Sequence, residues 1–146
     1  MERRLTAIFA ADVAGYSRLI GADEEGTLTR FTAHRRELIE PKINEHQGRL
    51  VKTTGDGVLA EFASPVKAVR CAIDVQHGMA TRNADIPEGQ RIEFRIGINL
   101  GDVVVEDGDI FGDGVNVAAR LENIAEPGAV YISRAMRDST QSRPGK

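Results

Sequence analysis

The 146-residue chain has no tryptophan, one cysteine and only three histidines. A single thiol, Cys71, excludes an internal disulfide and a zinc site built on cysteines. Cys71 falls on an apolar helical segment and reads as a small core residue. His34, His46 and His77 lack the HxxxH or HExxH spacing of paired ligands and read as solvated helix positions. No run of four basic residues exists, and the formal net charge is −3. Such a chain lacks the electrostatic footprint of phosphate-driven binding, so no nucleic-acid partner is expected. No apolar run approaches the ~20 residues of a membrane span. Leu5–Ala11 follows Arg3-Arg4 but is at the short limit for a signal segment and is closed by the charge of Asp12. A cytoplasmic location is expected.

What is present is an ordinary globular composition, 41% hydrophobic and 28% charged, in a length that suits one domain. That domain is expected over residues 1–138. The polar tail 139–146, with Pro144-Gly145, shows no periodicity and is expected to be frayed.

Leu5–Ala14 reads as a buried strand. Ser17–Ile20 starts a short helical turn. Asp23 can cap a helix to about Gln47, with a stripe of Leu28, Phe31, Leu38 and Ile39, a kink at Pro41 and a stop at Gly48. Arg49–Thr54 and Val58–Phe62 are strands joined by a tight Thr54-Gly55-Asp56-Gly57 tip. Ser64-Pro65 opens a helix striped by Ala68, Ala72, Val75 and Met79. Asn83–Gln90 is a polar loop. Ile92, Phe94, Ile96 and Ile98 alternate with Glu93, Arg95, Gly97 and Asn99, the period of a half-buried strand. Gly101-Asp102 reads as a turn into a partner strand, Val103–Glu106. Asp107–Gly114 reads as a loop, Val115–Ile124 as a helix and Val130–Ile132 as a short strand before a Ser133 cap. The order predicts an α+β fold: a ferredoxin-like βαββαβ core, an antiparallel sheet with helices on one face.

Six side chains from four segments make one chemical set. Asp12 ends an apolar strand, where a carboxylate is costly unless solvated, paired or metal-bound. Asp56 sits at a hairpin tip. If their strands are neighbours, both carboxylates converge on one sheet edge and suit Mg²⁺ or Mn²⁺; otherwise they are a strand-end cap and a turn residue. Asn116 and Arg120, four apart on an apolar helix, share a face, and Arg offers a planar fork for phosphate or for a nearby acid. Lys52 and Asp109 match the donor–acceptor pattern of an adenine edge and oppose that of guanine; singly, each also reads as a surface charge.

Three segments carry a resemblance. Phe9-Ala10-Ala11-Asp12-Val13-Ala14-Gly15-Tyr16-Ser17 resembles the first metal-binding strand of class III nucleotidyl cyclases, Lys52-Thr53-Thr54-Gly55-Asp56-Gly57 their second metal hairpin, and residues 108–121 their substrate and transition-state segment. The motifs stand in the family's order and cover about residues 5–135. The resemblance implies an antiparallel homodimer with sites at the interface. Asp12 and Asp56 of one protomer would bind two Mg²⁺ or Mn²⁺ ions, with the Val13 carbonyl adding a ligand. Lys52 and Asp109 of the other would read the adenine of ATP, where the family's guanylate cyclases usually place Glu and Cys. Asn116 would orient the ribose and Arg120 would stabilise the pentavalent phosphate as 3′,5′-cyclic AMP and pyrophosphate form. Regulatory domains fused in a parent protein are a further implied partner. The family's closing hairpin supplies another lysine for the triphosphate, and no residue among 142–146 matches it. The alternative to an active cyclase is therefore a cyclase-like nucleotide-binding or dimerisation module without turnover.

Overall fold

The first strand becomes the middle of the sheet. The computed structural model describes residues 2–141. In it β1 (Glu2–Val13) pairs antiparallel with β3 (Gly57–Phe62) on one side and β4 (Phe94–Glu106) on the other. With β2 (Gly48–Thr53) and β5 (Asp109–Phe111) the order is β2-β3-β1-β4-β5, and β6 (Val130–Ile132) adds parallel to β4 beside Ile96–Ile98. The sheet is curled, so its two outer strands meet through side chains (below).

The unbroken apolar run of β1 follows from burial on both faces. Ala7, Phe9, Ala11 and Val13 join a large core with residues of α1 (Tyr16–Ala22), α2 (Glu24–His34), α3 (Glu40–Glu45), α4 (Pro65–Asn83) and α6 (Arg134–Thr140). Ile8 and Ala10 join a smaller cluster with Ala118 of α5 (Asp113–Ile124). The expectation of helices on one face thus holds for the βαββαβ core, while α5 covers the opposite face. Gly97 lets it sit close: a Cβ there would lie 2.5 Å from the Ala118 carbonyl oxygen.

Four local expectations are corrected. The helix from Asp23 does not run to Gln47 with a simple kink. It passes through a π-helical segment, Arg35–Ile39, in which the Glu40 N–H donates to the Arg35 carbonyl. Pro41, one residue on, has no N–H to continue the α pattern, and the register slips by one just before it. Gly48 does not end the helix. Gln47 takes the left-handed turn (φ 58°), and Gly48 opens β2 where a Cβ would strike the Phe62 ring at 2.4 Å. Gly101-Asp102 is not a turn: Thr6 pairs with Gly101 and Leu5 with Asp102 in one continuous β4. The segment read as the Asp107–Gly114 loop contains β5, folded back on β4 by a tip with Asp107 (φ 53°) and Gly108 (φ 79°) both left-handed, the geometry of a two-residue hairpin turn.

Caps fall where the sequence put them. Ser64 and Ser133 each accept a backbone N–H three residues on. Of the expected tail, Ser139 and Thr140 finish α6, and residues 142–146 lie outside the described residues.

Candidate active site

Asp12 and Asp56 come together because β3 lies directly beside β1. Asp12 is in register with Gly57, and the Val13 N–H donates to the Asp56 carbonyl at 3.1 Å. Gly57 permits this closeness, since a Cβ would lie 2.1 Å from the Ala11 carbonyl oxygen. Burial and then repulsion from Asp12 raise the Asp56 carboxyl above its ordinary range. A cleft of about 200 Å³ opens here, lined by Asp12, Lys52, Thr54, Asp56, Ala119 and Glu122 among others.

Two residues that the sequence reading had not assigned to the site complete its charge. Arg95 of β4 donates to both oxygens of Asp12, Nε at 2.9 Å and Nη2 at 2.6 Å. Its Nη1 reaches the Asn123 carbonyl at 3.1 Å, so it also ties the end of α5 to the sheet. Glu122 projects from α5 toward Asp12. Burial, then the charge of Asp12, push its carboxyl up to about 8. A signal for Arg95 was available: it stands on the polar side of an alternating strand next to Gly97, where a second covering layer must approach.

Lys52 and Asp109 meet at 3.0 Å across the two outer strands. The Lys52 hydrogen bond is the main cause that holds the Asp109 carboxyl below its usual value. A β-bulge aims Lys52. Leu50 pairs with Ala60 and Lys52 with Leu59, so Val51 is the extra residue and Lys52 turns to the α5 side.

Asn116 and Arg120 are exposed on α5. The Arg120 side chain is 69% exposed and its nearest acid is Asp113, 3.8 Å away. The chain therefore brings Asp12, Asp56 and Lys52 to one cleft with the Val13 backbone bonded beside Asp56, pairs Lys52 with Asp109, and leaves Asn116 and Arg120 facing outward on the helix that roofs it.

The donor set at Asp12 and Asp56 fits a hard divalent cation: carboxylate oxygens crowded enough to raise the proton affinity of Asp56, at a strand end and a turn. A second group, Glu45, His46 and Asp74, lies between α3 and α4, with His46 Nε2 3.1 Å from Asp74 and Lys42 paired to Glu45. It is apart from the cleft. The expectation of three solvated histidines is corrected: His34 is buried, accepts from Arg82 Nε at 2.9 Å, and burial first, then Arg82, lower it to about 4. Cys71 is wholly buried, as expected, and burial raises its thiol to about 12.

Comparison with known proteins bears on the family and the fold. Residues 3–144 match the family profile "Adenylate and Guanylate cyclase catalytic domain". A Rhizobium meliloti protein named "Putative adenylate cyclase 3" is 53% identical over 143 residues, which are 98% of this chain and 24% of that protein. The adenylate cyclase of Streptomyces coelicolor is 34% identical over 94% of this chain and 34% of its own length. The chain thus spans about a quarter to a third of these curated relatives. Among solved structures, an adenylate/guanylate cyclase/hydrolase from Silicibacter pomeroyi superposes with a TM-score of 0.89 at 55% identity, over 99% of this chain and 84% of that one.

Proposed function

We propose that this chain, which belongs to the adenylate and guanylate cyclase catalytic domain family, converts ATP to 3′,5′-cyclic AMP and pyrophosphate at sites shared by two copies of the chain. The observation that carries this reading is a division of labour. The carboxylates Asp12 and Asp56 share one cleft, whereas Asn116 and Arg120 turn outward on α5 and need a second surface to complete a site. An antiparallel pair of chains supplies that surface twice.

In this reading the 3′-hydroxyl oxygen of the ribose bonds to the α-phosphorus, its proton leaves, and the bond to pyrophosphate breaks. Asp12 and Asp56, with the Val13 carbonyl, would hold two Mg²⁺ or Mn²⁺ ions of one half-site. When bound, those ions supply charge for the triphosphate and acidity for the 3′-hydroxyl. Asn116 of the other chain orients the ribose. Arg120 places its guanidinium fork on the phosphate where charge gathers in the transition state. Lys52 donates to N1 of adenine and Asp109 accepts from its N6 amine; guanine offers the opposite pattern and leaves both unpaired. Arg95 must release or share Asp12 for the ions to bind.

The relatives' greater length supports a parent protein in which further domains govern this one. No helix among the described residues is long and apolar enough to cross a membrane, and the cytoplasm, where ATP is abundant, is the proposed location. The test is incubation with ATP and with GTP, each with Mn²⁺, followed by chromatography over a series of protein concentrations. Cyclic AMP formed with a specific activity that rises with concentration supports the shared site. Binding of an ATP analogue with no product would reduce the reading to a nucleotide-binding module.

A further inference from the structure

Glu61 is a carboxylate with only 6% exposure, one residue before the end of β3, facing the α5 side of the sheet. A buried carboxylate persists only when it is paired. Burial would push Glu61 up, and two guanidinium groups more than offset that and hold it below its ordinary value. Arg4 reaches it with Nε at 3.2 Å and Nη2 at 2.6 Å. Arg49, directly opposite on β2, donates Nε at 2.8 Å and Nη2 as well.

Arg49 has one nitrogen left, and it leaves the pair. Nη1 donates to the Gly108 carbonyl at 2.9 Å, across to the tip of the β4–β5 hairpin. The next residue is Asp109, which faces Lys52. Arg49 and Lys52 are three apart on β2, a spacing that puts side chains on opposite faces of a regular strand. The extra residue Val51 brings them to the same face. Both then hold one hairpin: Arg49 by the carbonyl before Asp109, Lys52 by its carboxylate. The guanidinium plane is fixed on one side by a buried acid and on the other by a backbone acceptor, which only a forked side chain can do.

We infer that Glu61 and Arg49 are positioning residues for base selection, clamping the β4–β5 turn so that Asp109 stands at a set place opposite Lys52. The inference rests on the reading of Lys52 and Asp109 as the base-recognising pair. Neither Glu61 nor Arg49 touches the nucleotide in this scheme. They restrict where the acceptor for the adenine amine can stand, and a loosened turn lets Asp109 follow its backbone away from the site.

The experiment is calorimetric titration of the full chain with α,β-methylene-ATP and α,β-methylene-GTP in Mn²⁺, for the parent and for R49A, R49K, R4A and K52A. R49A is expected to weaken the preference for the ATP analogue by on the order of 10-fold, with the Mn²⁺ requirement unchanged. R49K keeps the charge beside Glu61 but cannot bond Glu61 and Gly108 together, so it stays folded and does not restore the preference. R4A removes the other partner of Glu61, lowers the thermal midpoint and leaves the preference intact. Equal preference in the parent, R49A and R49K, with K52A altered, would overturn the positioning role and spare the base-recognising pair. An unaltered preference in K52A, or no nucleotide bound by the parent, would overturn both.

Discussion

Arg95 grips both carboxylate oxygens of Asp12, one through Nε at 2.9 Å and the other through Nη2 at 2.6 Å. A cation at Asp12 competes with that grip. Arg95→Ala leaves Asp12, Asp56 and Glu122 facing each other without their counter-charge. The expected result is a chain less stable by about 1–3 kcal/mol in chelator, because the pair is only partly exposed. Mn²⁺ should recover more of the thermal midpoint in this variant than in the parent. Melting curves in EDTA and in Mn²⁺ decide it, and an equal metal response in both proteins would show that the ion does not sit at Asp12.

If each site takes its acids from one chain and its arginine from the other, two inactive variants should rescue each other. Asp56→Ala and Arg120→Ala are each expected to lose activity by at least 10²-fold. After unfolding and refolding together, half of the dimers are mixed and each holds one intact site. About a quarter of the parent activity should return by this counting. Mixtures as inactive as their components would place the acids and the arginine in a single chain.

Replacing Lys52 by Glu together with Asp109 by Cys installs the pair that the family resemblance assigns to guanylate recognition. The ratio of kcat/KM for ATP over GTP should fall by on the order of 10²-fold. The two positions touch at 3.0 Å, so the double variant should exceed the sum of the singles. Steady-state rates with both nucleotides check this, and an unmoved ratio removes these residues from base selection.

His34 offers a pH dependence away from the site. Its folded value, about 4, lies below the ordinary value of 6.5, because burial and then the Arg82 charge disfavour its charged form. Between those values the unfolded chain binds more protons, so stability falls as pH drops below about 6.5 and levels off below about 4. The loss between pH 7 and pH 5 should be about 2 kcal/mol. Urea denaturation at both pH values measures it. His34→Gln should flatten the His34 share of the slope; a slope equal to the parent's would assign the dependence to other groups.

Much of the frame was legible in the sequence for particular reasons. Alternation betrayed β4, Gly-Asp-Gly betrayed the β2–β3 tip, and Ser-Pro betrayed the start of α4. Gly101 misled because glycine usually marks a turn. In the sheet it allows the α5 start to come close, with Gly114 Cα 3.3 Å from where a Cβ would be. The three-residue β5 carries turn chemistry and no period, so only its partner on β4 makes it a strand. Asp12, Asp56 and Lys52 of the cleft, and Asp109 that meets Lys52, were readable from their segments. Glu122 was not, since it matters through a neighbour far along the chain, Asp12, that only the fold supplies, and Arg95 was signalled only by its place on β4 beside Gly97, not by its partner.

A consequence for folding follows from the place of β1. It precedes both of its partners along the chain, and its pairing with β4 joins residues such as Ala7 and Leu100 that are far apart in sequence. During synthesis its apolar stretch waits unpaired until β3 and then β4 emerge, a state open to wrong association. The long-range pairing that slows folding in general therefore falls on the strand that also carries Asp12.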